Sequence, residues 1–194
     1  MTQVSVDETI VSETITHNQT VDVPSGSVYL VYVNSGFYGG NSGRDVFLEV
    51  NGNTVFEYRG STLERPMGRI ILAGGDSLGV RVGDGSTDVY ALVSGYDVSS
   101  QVENGVVSSV LGHNETVDVP TGETWKVNIH TTYFAGNSGE NSVFKVNGNA
   151  IGTHTSSDQH TFGNSLFFNE GDTLSFVVDA GATDVHAHVG GFVL

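Results

Sequence analysis

The sequence predicts an all-β protein built from two tandem antiparallel β-sandwich domains, jelly-roll-like in form, that derive from an internal duplication. Two observations support this prediction. The chain matches itself at one fixed offset, and apolar residues alternate with polar residues along short segments separated by turn signals. Because no segment has helical spacing over a useful length, we expect roughly six to eight short strands in each copy.

The duplication covers nearly the whole chain of 194 residues. At an offset of 96, without a gap, 31 of the 91 residue pairs from 8/104 to 98/194 are identical. The longest match sets HNQTVDVPSG (residues 17–26) against HNETVDVPTG (residues 113–122). This period far exceeds the roughly 20 to 50 residues of solenoid repeats, so each copy should have its own core. We therefore expect two domains, a first repeat at residues 1–98 and a second repeat at residues 99–194.

Alternating apolar residues predict half-buried strands at equivalent places in the two repeats. Trp125, Val127 and Ile129 form one apolar set with polar residues between them. The closing segment of each repeat, at residues 89–93 and 185–189, alternates in the same way. The apolar residues of these strands, Trp125 among them, are predicted to face a core.

Glycine pairs mark the turns between these strands. The Asn-Gly pairs at residues 51–52 and 147–148 predict two-residue hairpins, because both central residues of a type I′ turn take positive φ. Gly-Asp pairs at residues 75–76 and 171–172 predict further turns.

The charge balance excludes nucleic acid as a partner. The chain has 22 acidic against 7 basic residues, a net charge of −15, whereas a nucleic-acid binder needs a basic stripe. The carboxylates are dispersed and only two residues are lysine, Lys126 and Lys145. This composition is typical of halophilic proteins, in which salt screens repulsion between carboxylates, although an acidic extracellular protein would share part of it.

Two absences in the sequence narrow the function classes further. The chain has no cysteine, which excludes a disulfide scaffold, a cysteine-ligated metal site and thiol catalysis. No apolar run reaches about 18 residues, and the segment MTQVSVDETIVSET lacks the basic and apolar regions of a secretory signal. We therefore expect neither membrane insertion nor a signal peptide.

Histidines of the second repeat are the candidate metal ligands. His186 and His188 are two residues apart on a predicted strand, so they project from one face roughly 7 Å apart. His130, on the polar side of its own strand, could join them if the two strands are neighbours. The alternative is that these histidines form an exposed or subunit-contacting face. The first repeat differs at these places, with Tyr90, Leu92 and Asn34.

Other motifs give less specific indications of function. Asn18 and Asn114 head glycosylation sequons at equivalent positions of the two repeats. The DGSTD segment at residues 84–88 lacks the spacing of a calcium loop and is interpreted as a turn. The sequence offers no Ser/His/Asp constellation that is shared by both repeats, so we expect no enzymatic activity. We also expect no cofactor, apart from a divalent or salt cation that the histidines or carboxylates could hold.

The order of these turns resembles a family of viral proteins. Each repeat runs from VP-x-G through an alternating strand with an early aromatic residue, then VNGN, GD-[ST]-L and a closing V-x-G-[YF]. This order resembles the small β-sandwich modules of tail, fibre and capsid decoration or turret proteins of tailed viruses. With the brine-like composition, the chain resembles a surface protein of a haloarchaeal virus. The residues that carry the resemblance, each with its partner 96 positions on, are Val23-Pro24, Gly26, Asn51-Gly52, Gly75-Asp76, Leu78 and Gly95-Tyr96.

The resemblance implies a structural role at the virion surface. It implies a capsid decoration, cement or turret protein that associates with itself, with a trimer favoured, and binds the major capsid protein or other virion proteins. The alternative is an adhesin or lectin-like module that binds cell-surface glycans through exposed aromatic residues. The candidate aromatic residues beside the two GNSG loops, which could instead cap a sandwich or fill a subunit interface, are Phe37, Tyr38, Tyr133 and Phe134.

Overall fold

A computed structural model describes seven segments of the chain, residues 9–37, 45–59, 65–82, 89–131, 141–155, 160–178 and 186–194. These segments contain sixteen β-strands, one 3₁₀ turn over Ser99–Gln101 and no α-helix. Their strand pairs are antiparallel. The all-β prediction is therefore confirmed. None of the described segments forms a helix long and apolar enough to cross a membrane.

The two repeats contribute eight strands each to this set. Those of the first repeat are β1 (Thr9–Thr16), β2 (Gln19–Asp22), β3 (Val28–Phe37), β4 (Asp45–Val50), β5 (Asn53–Arg59), β6 (Arg65–Ala73), β7 (Ser77–Val82) and β8 (Val89–Asp97). Those of the second repeat are β9 (Val106–Leu111), β10 (Thr116–Asp118), β11 (Thr124–Thr131), β12 (Asn141–Val146), β13 (Asn149–Thr155), β14 (His160–Asn169), β15 (Thr173–Val178) and β16 (Ala187–Val193).

The strands form four sheets of four strands. Sheet A has the order β1-β8-β3-β6 and sheet B the order β2-β7-β4-β5. Sheet C has the order β9-β16-β11-β14 and sheet D the order β10-β15-β12-β13. When strands are counted from the start of each repeat, sheets C and D have the same orders as sheets A and B. Among the described strands, pairing therefore stays within one repeat.

Both Asn-Gly hairpins form as the sequence predicts. Asn51 and Gly52 have φ angles of 54° and 75°, and Asn147 and Gly148 have φ angles of 51° and 76°. These turns join β4 to β5 and β12 to β13. Positive φ at both central positions is the geometry that matches the twist of a hairpin, which explains the choice of asparagine and glycine.

An aspartate ties each Asn-Gly hairpin to the neighbouring turn. In the second repeat the side chain of Asn147 donates to the Asp172 carboxylate at 2.7 Å and accepts from the Thr173 backbone N–H at 2.9 Å. Asp172 also accepts from the Asn169 backbone N–H at 2.9 Å. These hydrogen bonds, from Asn147 first and Asn169 second, lower the pKa of Asp172 because they favour the charged carboxylate. In the first repeat, Asn51, Asp76 and Ser77 form the same arrangement.

Each repeat has a core that draws on both of its sheets. In the first repeat, Val31 and Val33 of sheet A belong to one buried cluster with Leu48 and Leu78 of sheet B. The corresponding cluster of the second repeat contains Ile129 and Val189 of sheet C with Phe144 and Phe176 of sheet D. Trp125 belongs to this second core, which confirms its predicted place.

The Asn147-Gly148 turn provides a test of this local reasoning. Replacing Gly148 with valine should lower the free energy of unfolding by at least about 1 kcal/mol, because a β-branched residue is strained at positive φ. A Cβ atom added at Gly148 would meet no heavy atom within 4 Å outside the adjacent residues, so the expected loss comes from backbone strain. Chemical denaturation should show an earlier midpoint for Gly148→Val than for the control Ala150→Val, an exposed strand position two residues on. Equal midpoints would contradict the turn geometry.

Candidate functional site

His188 lies in the interior of the protein, where the two repeats contact each other. On β16 it pairs with His130 of β11 on one side and Val110 of β9 on the other. Its side chain is fully buried, and its Nε2 atom lies 3.2 Å from the hydroxyl oxygen of Ser108. This burial means that a neighbouring subunit cannot reach the His188 side chain.

Ser108 connects His188 to a carboxylate of the first repeat. The Ser108 hydroxyl donates to Asp76 Oδ2 at 2.6 Å, which is the short distance of a charge-assisted hydrogen bond. Because a serine hydroxyl has one hydrogen, His188 must donate to Ser108 from its own Nε2. Asp76 also accepts from the Ala73 backbone N–H at 2.8 Å and from Asn51. The aspartate that ties two turns of the first repeat therefore also joins that repeat to the second.

The residue types Asp, Ser and His invite comparison with a catalytic triad. In a triad the carboxylate orients the histidine, which in turn activates the serine for attack on a substrate. Here the Asp76 carboxylate accepts from the serine itself, and the histidine is buried. The geometry of this cluster is that of a contact between repeats. The sequence alone did not reveal it, because its members lie far apart in the chain and match no motif.

The three-histidine metal site remains a prediction. His130 and His188 do lie on neighbouring strands, as that prediction required, but the His130 side chain lies outside the described part of the structure. His186 precedes β16 and is half-buried beside Gly112. Among the side chains that are described, no group of three or more His, Cys, Asp or Glu is placed to hold a metal ion.

The predicted glycosylation sites occupy equivalent turns. Asn18 and Asn114 are exposed and have φ angles of 61° and 63°. The preceding histidines, His17 and His113, accept backbone N–H groups of β7 and β15 at their Nδ1 atoms, at 3.0 Å in both repeats. The side-chain amides of the asparagines lie 2.8 and 2.6 Å from Nε2 of these rings. The turns are therefore fixed by histidine, and occupancy by a glycan stays a prediction.

The aromatic residues predicted to bind glycans fall at the margin of the described structure. Phe37 ends β3, but its side chain lies outside the described residues, as do Tyr38, Tyr133 and Phe134 entirely. An open groove of about 760 Å³ exists elsewhere in the first repeat, between β1 and β2, with Tyr29 in its lining. Burial first, and then the charges of Asp97 and Glu13, raise the pKa of the Tyr29 hydroxyl, so this phenol stays neutral.

Apolar side chains complete the contact between the repeats. Val28, Ile71 and Val98 are buried in a cluster with Val106 and Phe192. Gly190 lies so close to the first repeat that a Cβ atom there would be 2.7 Å from the Ile71 carbonyl oxygen. The edge formed by β6 and the turn after it therefore rests on the outer face of sheet C, at β9 and β16.

The corresponding outer face of sheet A is exposed and rich in apolar residues. Of the eight large apolar side chains exposed in the described segments, five lie there. Strand register places them together, since Ile10 pairs with Tyr96, which pairs with Leu30 on its other side. Leu30 packs in the cluster between the repeats, so this face continues into that contact. We call the five residues the sheet A face; they are Ile10, Tyr32, Tyr90, Leu92 and Tyr96.

Comparisons with known proteins add no relative. A scan against protein-family models gave no match, and a search of curated proteins gave none either. The resemblance to viral modules therefore depends on the sequence pattern alone.

The contact between Asp76 and Ser108 provides a second test. Ser108→Ala should lower the free energy of unfolding by about 1 to 3 kcal/mol, because it removes a hydrogen bond to a charged group inside the contact. The matched control is Ser12→Ala at the equivalent position of the first repeat, where the side chain is exposed and the loss should stay within about 0.5 kcal/mol. Chemical denaturation of dilute protein measures both. Equal effects would contradict the role assigned to Ser108.

Proposed function

We propose that this protein is a structural component of a virion surface, a decoration, cement or turret protein that associates with itself and sits on the capsid shell. The sequence pattern and the brine-like composition support a haloarchaeal virus as its source. The major capsid protein or another virion protein is then its partner, and the virion surface is its location.

We further propose that each repeat is a jelly-roll-like sandwich domain, at residues 1–98 and 99–194. The strand orders 1-8-3-6 and 2-7-4-5, found in each repeat, support this assignment. A single core cluster that draws on both sheets of a repeat supports it as well. Jelly rolls of eight strands are common in viral capsid and lectin domains, so the fold is compatible with both functions considered for this chain.

The exposure of the sheet A face is the observation that best supports the proposed structural role. Monomeric soluble proteins rarely expose large contiguous apolar patches, and such patches mark surfaces that bind other proteins. Three of its five residues are tyrosines, which are enriched at protein interfaces because they combine a large apolar ring with a polar hydroxyl. A chain of two small domains with such a face is suited to assembly.

The groove between β1 and β2 supports the alternative function, an adhesin or lectin-like module. Its lining combines the polar residues of two strands with the ring of Tyr29, a mixture that suits a sugar. The groove presents only one aromatic ring, whereas the sheet A face presents three. We therefore place protein assembly first.

Co-purification with virus particles tests the proposed function. The chain should migrate with particles through a density gradient of a lysate in which both are made, and it should remain with them at molar KCl. If the chain stays at the top of the gradient while the capsid protein sediments, the virion role is wrong.

The glycan alternative predicts instead that the wild type binds immobilised glycans. Tyr29→Ala should lose this binding, whereas Tyr96→Ala, outside the groove, should retain it.

A further inference from the structure

The contact between the repeats has two unlike halves. One half is the edge of the first repeat, formed by Ile71, Val98 and the Asp76 carboxylate. The other half is the outer face of sheet C, on β9 and β16. Because the two repeats correspond residue by residue at an offset of 96, each half has an equivalent elsewhere in the chain. Both equivalents are exposed.

The equivalent edge lies on the second repeat. Phe167 of β14 stands where Ile71 stands in the first repeat, and Leu194 stands where Val98 does. Ile71 and Val98 are 2% and 7% exposed, whereas Phe167 and Leu194 are 60% and 54% exposed. Asp172, the equivalent of Asp76, is also held by its turn with its carboxylate near solvent. The second repeat therefore presents the same edge, and its apolar side chains are exposed rather than covered by the described part of the chain.

The equivalent face is the sheet A face. Ile10, Leu92 and Tyr96 stand where Val106, His188 and Phe192 stand in the second repeat. The first three are 41 to 74% exposed, whereas His188 is fully buried and Val106 and Phe192 pack in the cluster between the repeats. Seven of the eight large apolar side chains exposed in the described segments thus belong to the unused edge or the unused face, Ile10, Tyr32, Tyr90, Leu92, Tyr96, Phe167 and Leu194.

We propose that the sheet A face of one molecule binds the Phe167 edge of a second copy of this chain, head to tail. This contact between molecules has the same packing as the contact between the two repeats of one molecule. Asp172 of one chain then accepts from the Ser12 hydroxyl of the next, as Asp76 accepts from Ser108. Because the two halves differ, a pair of molecules still has one free face and one free edge, so the assembly is a closed ring or an open filament.

Two substitutions distinguish the contact between molecules from the one within them. Ser94 stands where Gly190 allows the Ile71 carbonyl to approach, so its Cβ atom holds the edge further from the sheet. Lys126 stands where Leu30 packs, and it lies 5.9 Å from the centre of the Phe167 ring. Its ammonium group would approach the tyrosine rings of the sheet A face, which attract cations. The contact between molecules also lacks the tether that raises the effective concentration of the two repeats.

Salt should strengthen this association. Each molecule carries a net charge of −15, so two copies repel each other at low ionic strength. The Debye length falls from about 10 Å at 0.1 M salt to about 3 Å at 1 M, which removes most of this repulsion but leaves the apolar contact. The oligomer is therefore expected at molar KCl and at high protein concentration.

Blocking the two halves in separate molecules tests the proposal. Leu92→Glu places a carboxylate on the sheet A face, and Phe167→Glu places one on the edge. Analytical ultracentrifugation at molar KCl should show oligomers for the wild type, monomers for each variant alone and dimers for an equal mixture. The mixture stops at dimers because its members supply one intact edge and one intact face. Thr116→Glu, at an exposed position of β10 outside both surfaces, should associate as the wild type does.

Three results would overturn the proposal. A wild type that stays monomeric at molar KCl would exclude the contact. A Phe167→Glu variant that dimerises alone would show a face-to-face contact instead. A mixture that stays monomeric, while circular dichroism shows both variants folded, would exclude head-to-tail pairing. This proposal rests on the proposed function, because it specifies how the chain associates with itself. The head-to-tail contact and the virion role can still be disproved separately, because ultracentrifugation uses purified chain and the gradient experiment uses virus particles.

Discussion

The edge of the first repeat that contains Ile71 packs on the outer face of sheet C, and this contact determines which surfaces of the chain stay exposed to solvent. It combines an apolar cluster with a charge-assisted hydrogen bond from Ser108 to Asp76. It also places His188 in the interior, although that residue lies on the outer side of its sheet. A sheet that buries one face in a core leaves its other face to solvent unless another element covers it. Here the covering element is the other repeat, and it can cover only one of the two equivalent outer faces.

The local structure of this chain could be predicted from the sequence because it depends on local rules. Alternation placed Trp125 in the core, and the need for positive φ placed the hairpins at Asn51 and Asn147. The contact between the repeats could not be predicted in this way. Alternation shows which residues point outward, but it does not show which of them another repeat covers. Ile71 and Phe167 are both apolar and occupy equivalent positions, yet Ile71 is buried and Phe167 is exposed.

The differences between the repeats do carry a signal for the covered face. The second repeat has Gly190 and His188 where the first has Ser94 and Leu92. Glycine allows close approach of another backbone, and histidine supplies a hydrogen-bond donor for a half-buried serine. His188, one of the three predicted metal ligands, lies in the contact between the repeats. Its neighbours in that contact come from distant parts of the chain, which sequence spacing does not reveal.

Disulfide trapping tests the head-to-tail account most directly, because the chain has no cysteine of its own. Ser12→Cys in one molecule and Asp172→Cys in another place thiols where the account brings two chains together. When the variants are mixed at molar KCl and oxidised, the account predicts a disulfide-linked heterodimer that forms faster than either homodimer, and faster than the control heterodimer of Ser12→Cys with Thr116→Cys. A test pair that cross-links no faster than the control pair, or that gives mainly homodimers, would contradict it.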